Sequence, residues 1–195
     1  MTRIDSEAMD LLFRKARTHN AWQQQDVPNS LLREAYDLAK MGPTSANCQP
    51  LRIVFLKSRE AKERLRPLLS PGNLDKTMTS PVVTIFAHDL EFHEQLPRLF
   101  PHADAKSWFT GNQQLIETTA FRNGTLQAAY FMLAARGLGL DCGPMSGFDN
   151  AGVDKEFFDG TKWKSNFICN IGHGDAAALH PRSPRPEFDE FCRIV

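Results

Sequence analysis

One long helical pattern constrains the fold more than any other feature of the chain. From about Gln114 to Arg136, apolar residues recur at helical spacing: Ala120, Phe121, Leu126, Ala129, Tyr130, Leu133 and Ala134. Near its C-terminal half the segment is apolar on most of its circumference, so other elements must cover it. Gly137-Leu138-Gly139 closes it, since glycine enters the left-handed region at a helix end without a Cβ penalty. The pattern therefore predicts a central helix with the rest of the chain packed around it.

Three short apolar runs read as strands. Pro81 to Ala87 is β-branched and too short for a helix, so it predicts a buried strand. Ile53 to Leu56 and Asn166 to Ile171 predict two more. Ser6 is placed to cap a first helix with the stripe Met9, Leu12, Phe13 and Ala16. Pro28-Asn29-Ser30 starts a second, with Leu31, Leu32, Ala35, Leu38 and Ala39 as its apolar face and Gly42 as its stop. Ser58 caps a third that runs toward Leu69, and a short helix is expected around Val153 to Phe158. The stretch from Glu91 to Thr110 has weak periodicity. Pro43–Pro50 and Asp141–Asn150 read as loops. Few strands among many helices, without βαβ alternation, predict an α+β fold. No repeat, linker or composition break interrupts the chain, so residues 1–195 are read as a single domain.

Charge and cysteine usage narrow the function classes. Lys+Arg and Asp+Glu both number 23, and no basic cluster stands out, which excludes an ordinary nucleic-acid binder. A net charge near zero gives little colloidal repulsion and favours an oligomer. No run approaches the roughly 20 apolar residues that span a bilayer, and Met1 to Glu7 holds no apolar signal core, so no membrane is expected. Cys48, Cys142, Cys169 and Cys192 are scattered without a CxxC pair, as thiols in a reducing cytoplasm are.

One nucleotide motif is false. Gly172-His173-Gly174-Asp175-Ala176-Ala177 fits G-x-G-x-x-A after a strand, but the fingerprint needs a helix, a second strand and a distant acid. Only a short tail broken by Pro181, Pro184 and Pro186 follows. Walker A, HExxH and G-x-S-x-G sequences are missing. The six histidines form no ligand pair, and His102 with Asp104 offers too few donors, so no metal is expected.

The remaining candidates are polar residues at element ends. Arg17-Thr18-His19-Asn20 offers a cation, a hydroxyl, an amide and backbone donors within four residues. Arg182 and Arg185 sit among prolines, which reduce the unbound freedom of forks that suit a phosphate. Each cluster alone also reads as solvated charge. The loops Gly42–Pro50 and Cys142–Asp149 mix Gly, Pro and short polar side chains, and could bring backbone N–H groups to a flat heteroaromatic ring. Ordinary turns explain them equally well.

Taken in order, these segments resemble the FMN-dependent nitroreductase family over nearly the whole chain. Arg17-Thr18-His19-Asn20-Ala21-Trp22 is similar to its phosphate and ribityl segment. Pro43-Thr44-Ser45-Ala46-Asn47 with Gln49-Pro50 is similar to its Pro-Ser-Ser-x-Asn-x-Gln-Pro loop, which usually reaches the flavin of the partner subunit. Asn73 and Lys76 fit the segment at the pyrimidine edge. Pro144-Met145-Ser146-Gly147 corresponds to the loop facing flavin N5, and Arg182 and Arg185 to the C-terminal phosphate cations. Asn20 departs from the pattern, because many relatives have a second basic residue in this N-terminal segment.

Gly42 to Cys48, Leu99 to His102, Ser107 to Thr110, Ala120 to Asn123 and Gly143 to Asp149 are similar to a branch acting in pyrimidine utilisation. Members of that branch, in the Rut pathway, are assigned malonic semialdehyde as substrate. The resemblance implies a mixed, mainly antiparallel sheet flanked by helices, and a homodimer with FMN at the interface. It also implies NADH or NADPH as electron donor and a small-molecule acceptor. Arg122, Trp108 and Phe109 are the substrate-side candidates, each with a plain structural reading beside it, and no proton donor is named. A broad nitro- or quinone-reducing enzyme and a non-catalytic flavin carrier are the alternatives.

Overall fold

A computed structural model describes residues 3–195. Asp5, and not Ser6, caps the first helix by accepting the amide of Ala8 at 2.7 Å. That helix, α1 (Ser6–Met9), continues into a π-helical turn over Asp10–Arg14. Its expected stripe is largely uncovered, with Met9 and Phe13 exposed. There follow α2 (Asn29–Ala39), β1 (Leu51–Leu56), α3 (Arg59–Leu65) and α4 (Leu74–Met78). Next come β2 (Val82–Asp89), α5 (Leu96–Leu99) and α6 (Gln113–Gly137). The chain ends with β3 (Asp141–Met145), α7 (Asn150–Phe157), β4 (Trp163–Gly172) and α8 (Phe188–Phe191).

The four strands form one sheet in the order β1-β2-β4-β3, with every neighbouring pair antiparallel. Among the described residues the one parallel pairing is an isolated bridge from Thr18, outside the named strands, to Cys142 of β3. All eight residues of β2 are buried, because the strand is central and both faces of the sheet are covered. On one face α2 and α6 pack through Leu32, Ala35, Ala128, Phe131 and Ala135 onto Val82, Phe86, Cys169 and Ile171. On the other, Leu65, Leu69, Val153 and Phe158 cover Val83, Ile85, Ala87 and Ile168. The alternation along β2 is the period-2 geometry of a strand, with each face feeding a separate core.

α6 is roughly 37 Å long at 1.5 Å per residue. It contributes nine buried residues, including the polar Asn123 and Gln127. Its N-terminal half helps to build a third cluster of Cys48, Phe92, Leu96, Ala105, Phe109, Ile116 and Ala120, beneath the segment that lacked periodicity.

One expected loop proves to be a strand. Asp141–Met145 reads as Asp-Cys-Gly-Pro-Met, and glycine and proline there suggest a turn. β3 is an edge strand, where a proline without an N–H is tolerated. Leu38 is a second difference: it is exposed although it continues the apolar stripe of α2. After Gly172 the chain forms only a 3-10 turn over Ala176–Ala178, where a dinucleotide fingerprint would need a full helix.

Candidate functional site

The segment after α1 runs alongside β3. The amide of His19 donates to the Cys142 carbonyl at 3.1 Å, and that of Gln23 to His173 at 2.8 Å. His19 is buried, with Nε2 3.4 Å from an Asp141 carboxylate oxygen. The same carboxylate accepts the Gly174 amide at 2.9 Å. A Cβ on Gly174 would lie 2.0 Å from His19 Nδ1, so only glycine allows the ring to lie there. The His19 ring thus sits behind the segment, while Thr18 and Asn20 on either side of it face outward and are exposed.

The loop after β3 is clamped from the other side. Asn73 Nδ2 donates to the Gly147 carbonyl at 2.8 Å, and the Ser70 amide donates to the same oxygen at 3.0 Å. A Cβ on Gly147 would meet Asn73 Nδ2 at 2.6 Å, so a larger residue there would displace the Asn73 amide from this hydrogen bond. Met145 is held by the Thr77 hydroxyl at 3.4 Å, and Ser146 between them is exposed. Trp22 Nε1 and Asn170 Nδ2 each donate to the Lys76 carbonyl at 3.0 Å. The structure therefore brings Arg17 to Asn20, Asn73, Lys76 and Pro144 to Gly147 together at the β3 edge.

The C-terminal tail closes onto this edge. Arg17 donates to the carbonyl of His180. Arg182 donates at 2.9 Å to the carbonyls of both Arg14 and Ala16. Arg185 donates to the carbonyls of Ser183 and Pro184 at 2.9 and 3.1 Å. Between the two segments lies a cavity of about 390 Å³ lined by Arg17, Thr18, Arg136, His180, Arg182 and Arg185, with no acidic residue in its wall. Among the described residues none of these four arginines forms an ion pair, whereas Arg14, Arg52, Arg64 and Arg66 do. Four guanidiniums converge on a carboxylate-free space, and such a space suits an anion with several acceptor oxygens.

The loop Pro43–Pro50 lies elsewhere. It leads into β1 at the opposite edge of the sheet, about 14 Å from β3 across three inter-strand spacings. Buried amides of α6 hold it: Asn123 Oδ1 accepts the Ser45 amide at 2.9 Å, and Gln127 Oε1 accepts the Leu51 amide at 3.0 Å. The Tyr130 hydroxyl reaches the Pro43 carbonyl at 3.2 Å, and Asn47 Nδ2 donates to Leu99 at 2.8 Å. Ala46, Asn47 and Gln49 have φ of 47°, 49° and 44°. Three non-glycine residues in the left-handed region within four positions is a concentration of backbone strain found mostly at binding sites.

The substrate-side candidates diverge. Phe109 is buried, with its ring edge-on to Phe92 at 4.9 Å, so it is a core residue here. Trp108 beside it is exposed and rests edge-on against Phe100 at 6.1 Å. Arg122 is exposed in an apolar groove on α6 with Thr118, Phe121, Thr125, Leu126 and Ala129.

The nitroreductase family model matches residues 14–173. The chain belongs to the nitroreductase family. It is 62% identical over 194 residues, all of both chains, to a Burkholderia lata protein with the provisional name NADH dehydrogenase/NAD(P)H nitroreductase. Its fold superposes with a TM-score of 0.85 on an Exiguobacterium sibiricum protein solved in complex with FMN, at 18% identity over the whole of both chains. A protein of Staphylococcus epidermidis, provisionally named NAD(P)H:FMN oxidoreductase, gives 0.84 at 20% identity, over 100% of this chain and 98% of that one.

Within this nitroreductase the reading from sequence missed Arg136, Asn123 and Gln127. The two amides carried a usable signal, being polar residues on a helix face otherwise set for burial. Arg136 carried none, because a basic residue in the last turn of a helix is ordinary.

Proposed function

We propose that this single-domain nitroreductase works as a homodimeric, FMN-dependent NAD(P)H oxidoreductase of the cytoplasm. Its acceptor is malonic semialdehyde, reduced to 3-hydroxypropionate in pyrimidine degradation. The observation that carries the flavin assignment is the carboxylate-free cavity where Arg17, Arg182 and Arg185 meet. It fits a phosphate monoester, whose charge of about −1.5 to −2 needs several cations.

FMN, when bound, would supply hydride transfer between NADH or NADPH and the acceptor, and the protein contributes position and electrostatics. Arg17, Arg182 and Arg185 hold the phosphate, while Thr18 and Asn20 present polar groups to the ribityl chain and buried His19 supports them from behind. Asn73 and Lys76 serve the pyrimidine edge, where the Lys76 cation stabilises negative charge as it develops. Pro144, Met145, Ser146 and Gly147 present backbone to N5, with the exposed Ser146 supplying the N–H. Pro43, Thr44, Ser45 and Asn47, at the opposite sheet edge, reach the flavin of the partner subunit. Arg122 pairs with the carboxylate of the semialdehyde, and Trp108 supplies an apolar wall.

A broad nitro- or quinone-reducing activity is the second reading, favoured by the name of the 62%-identical relative. Anaerobic reduction of the purified protein by each nicotinamide, then reoxidation by malonic semialdehyde, a nitroaromatic and a quinone, separates the two by kcat/KM. Arg122→Ala is expected to raise KM for the semialdehyde at least tenfold, since a charge-assisted pair is worth about 1.5–3 kcal/mol. An unchanged KM sinks that role. A yellow protein that neither nicotinamide bleaches is a flavin carrier, and a colourless one that refuses FMN overturns the whole assignment.

A further inference from the structure

Arg136 is placed by the last turn of α6, the longest helix, and its neighbour Ala135 is fully buried against the sheet. Its guanidinium lines the same cavity as Arg17, Arg182 and Arg185. Its Nε is buried without a hydrogen-bond partner. One Nη donates to the Leu12 carbonyl at 3.4 Å, the long end of the hydrogen-bond range. Its other donors are uncommitted, although a guanidinium carries several in a fixed fork. A cation left partly buried and under-bonded beside three others is unfavourable unless an anion completes the arrangement.

We propose that Arg136 is a phosphate-binding cation of the flavin site, the one delivered by rigid structure. This rests on the flavin reading above. Arg182 and Arg185 lie on an exposed tail whose own carbonyls, and those of Arg14 and Ala16, occupy part of their hydrogen-bonding capacity. Arg136 is held by a helix locked into the core, so its fork is already oriented when the phosphate arrives. Preorganisation of this kind raises affinity by reducing what must be ordered on binding. The group recognised is the 5′-phosphate, which FMN has and riboflavin lacks.

The test is a titration of the flavin-free protein with FMN and, separately, with riboflavin, followed by quenching of flavin fluorescence. Arg136→Gln is expected to weaken FMN binding about ten- to a hundredfold, with riboflavin affinity unchanged. Arg136→Lys keeps a point charge without the fork, and is expected to lose less, again for FMN alone. Unchanged FMN affinity in both variants overturns the proposal. So does a parallel loss of FMN and riboflavin, which would make Arg136 a tether for Leu12 only. A wild-type protein that binds neither flavin overturns the flavin reading itself, which is a different result from a wild type and variants that bind FMN equally well.

Discussion

Cys48 illustrates how burial sets the chemistry of a side chain. It lies in the apolar cluster beneath the 91–110 segment, and desolvation of the thiolate pushes its pKa up to about 11. Cys142 and Cys169 are fully buried and Cys192 is exposed. Alkylation at neutral pH is therefore expected to modify Cys192 alone in the native protein and all four cysteines after denaturation; rapid native labelling of a second cysteine would contradict this burial. His88 is another buried titratable group. It is pressed between the Gly124 turn and the Phe121 ring, 5.7 Å away and edge-on, and its Nδ1 has no partner. Desolvation lowers its pKa, against a partial opposing pull from Asp154 and Asp89 and with a reinforcing push from Lys164. The unfolded chain then binds the proton more readily, so stability contributed by neutral His88 is present above about pH 6.5 and is lost as pH falls below it. His88→Asn should flatten that acid limb in denaturant titrations at pH 5 and pH 7.5, and an unchanged pH slope would count against the assignment.

Elements, more than single contacts, position the loops. Asp149 closes the loop after β3 and caps α7 at once: its carboxylate accepts the Gly152 amide at 3.1 Å, and its own amide donates to Leu68 at 2.8 Å. Asp149→Ala should lower stability by about 1 kcal/mol, the usual worth of an N-cap, while Asp149→Asn should lose less; equal, negligible losses would show that the cap is unimportant. Asn123 and Gln127 do for Pro43–Pro50 what Asn73 does for Gly147. Both loops were legible in the sequence as Gly- and Pro-rich breaks, yet their supports were not. Asn123 lies 78 positions from Ser45, and no local pattern pairs residues that far apart. β3 was missed for a related reason: Gly143 and Pro144 are turn residues locally, and only an edge position beside β4 makes them a strand.

At the scale of the molecule, the charged cavity and the strained loop occupy opposite edges of one sheet. Apolar side chains are also left uncovered: Phe121 and Leu126 on α6, Leu38 beside Met41 at the end of α2, and Phe188, Phe191 and Ile194 in the tail. Exposed apolar residues in such numbers commonly mark association surfaces. The proposed homodimer predicts sedimentation at twice the 22.0-kDa chain mass, and release of FMN on dilution in step with dissociation. A monomer that retains FMN would exclude a site shared between subunits.

The α+β class, the long helix, the buried central strand and the order of the polar segments were all determined by the sequence alone. Each depends on the spacing of apolar residues or the chemistry of a turn, and both are local. Tertiary structure decided which segments meet. It buried Phe109 and left Trp108 exposed, turned one loop into an edge strand, left Met9 and Phe13 of the first helical segment in solvent, and brought Arg136 beside Arg17, Arg182 and Arg185. Periodicity shows that an element has a face to bury. What covers that face, and which distant charge comes to lie beside which, depends on packing between elements far apart in the chain.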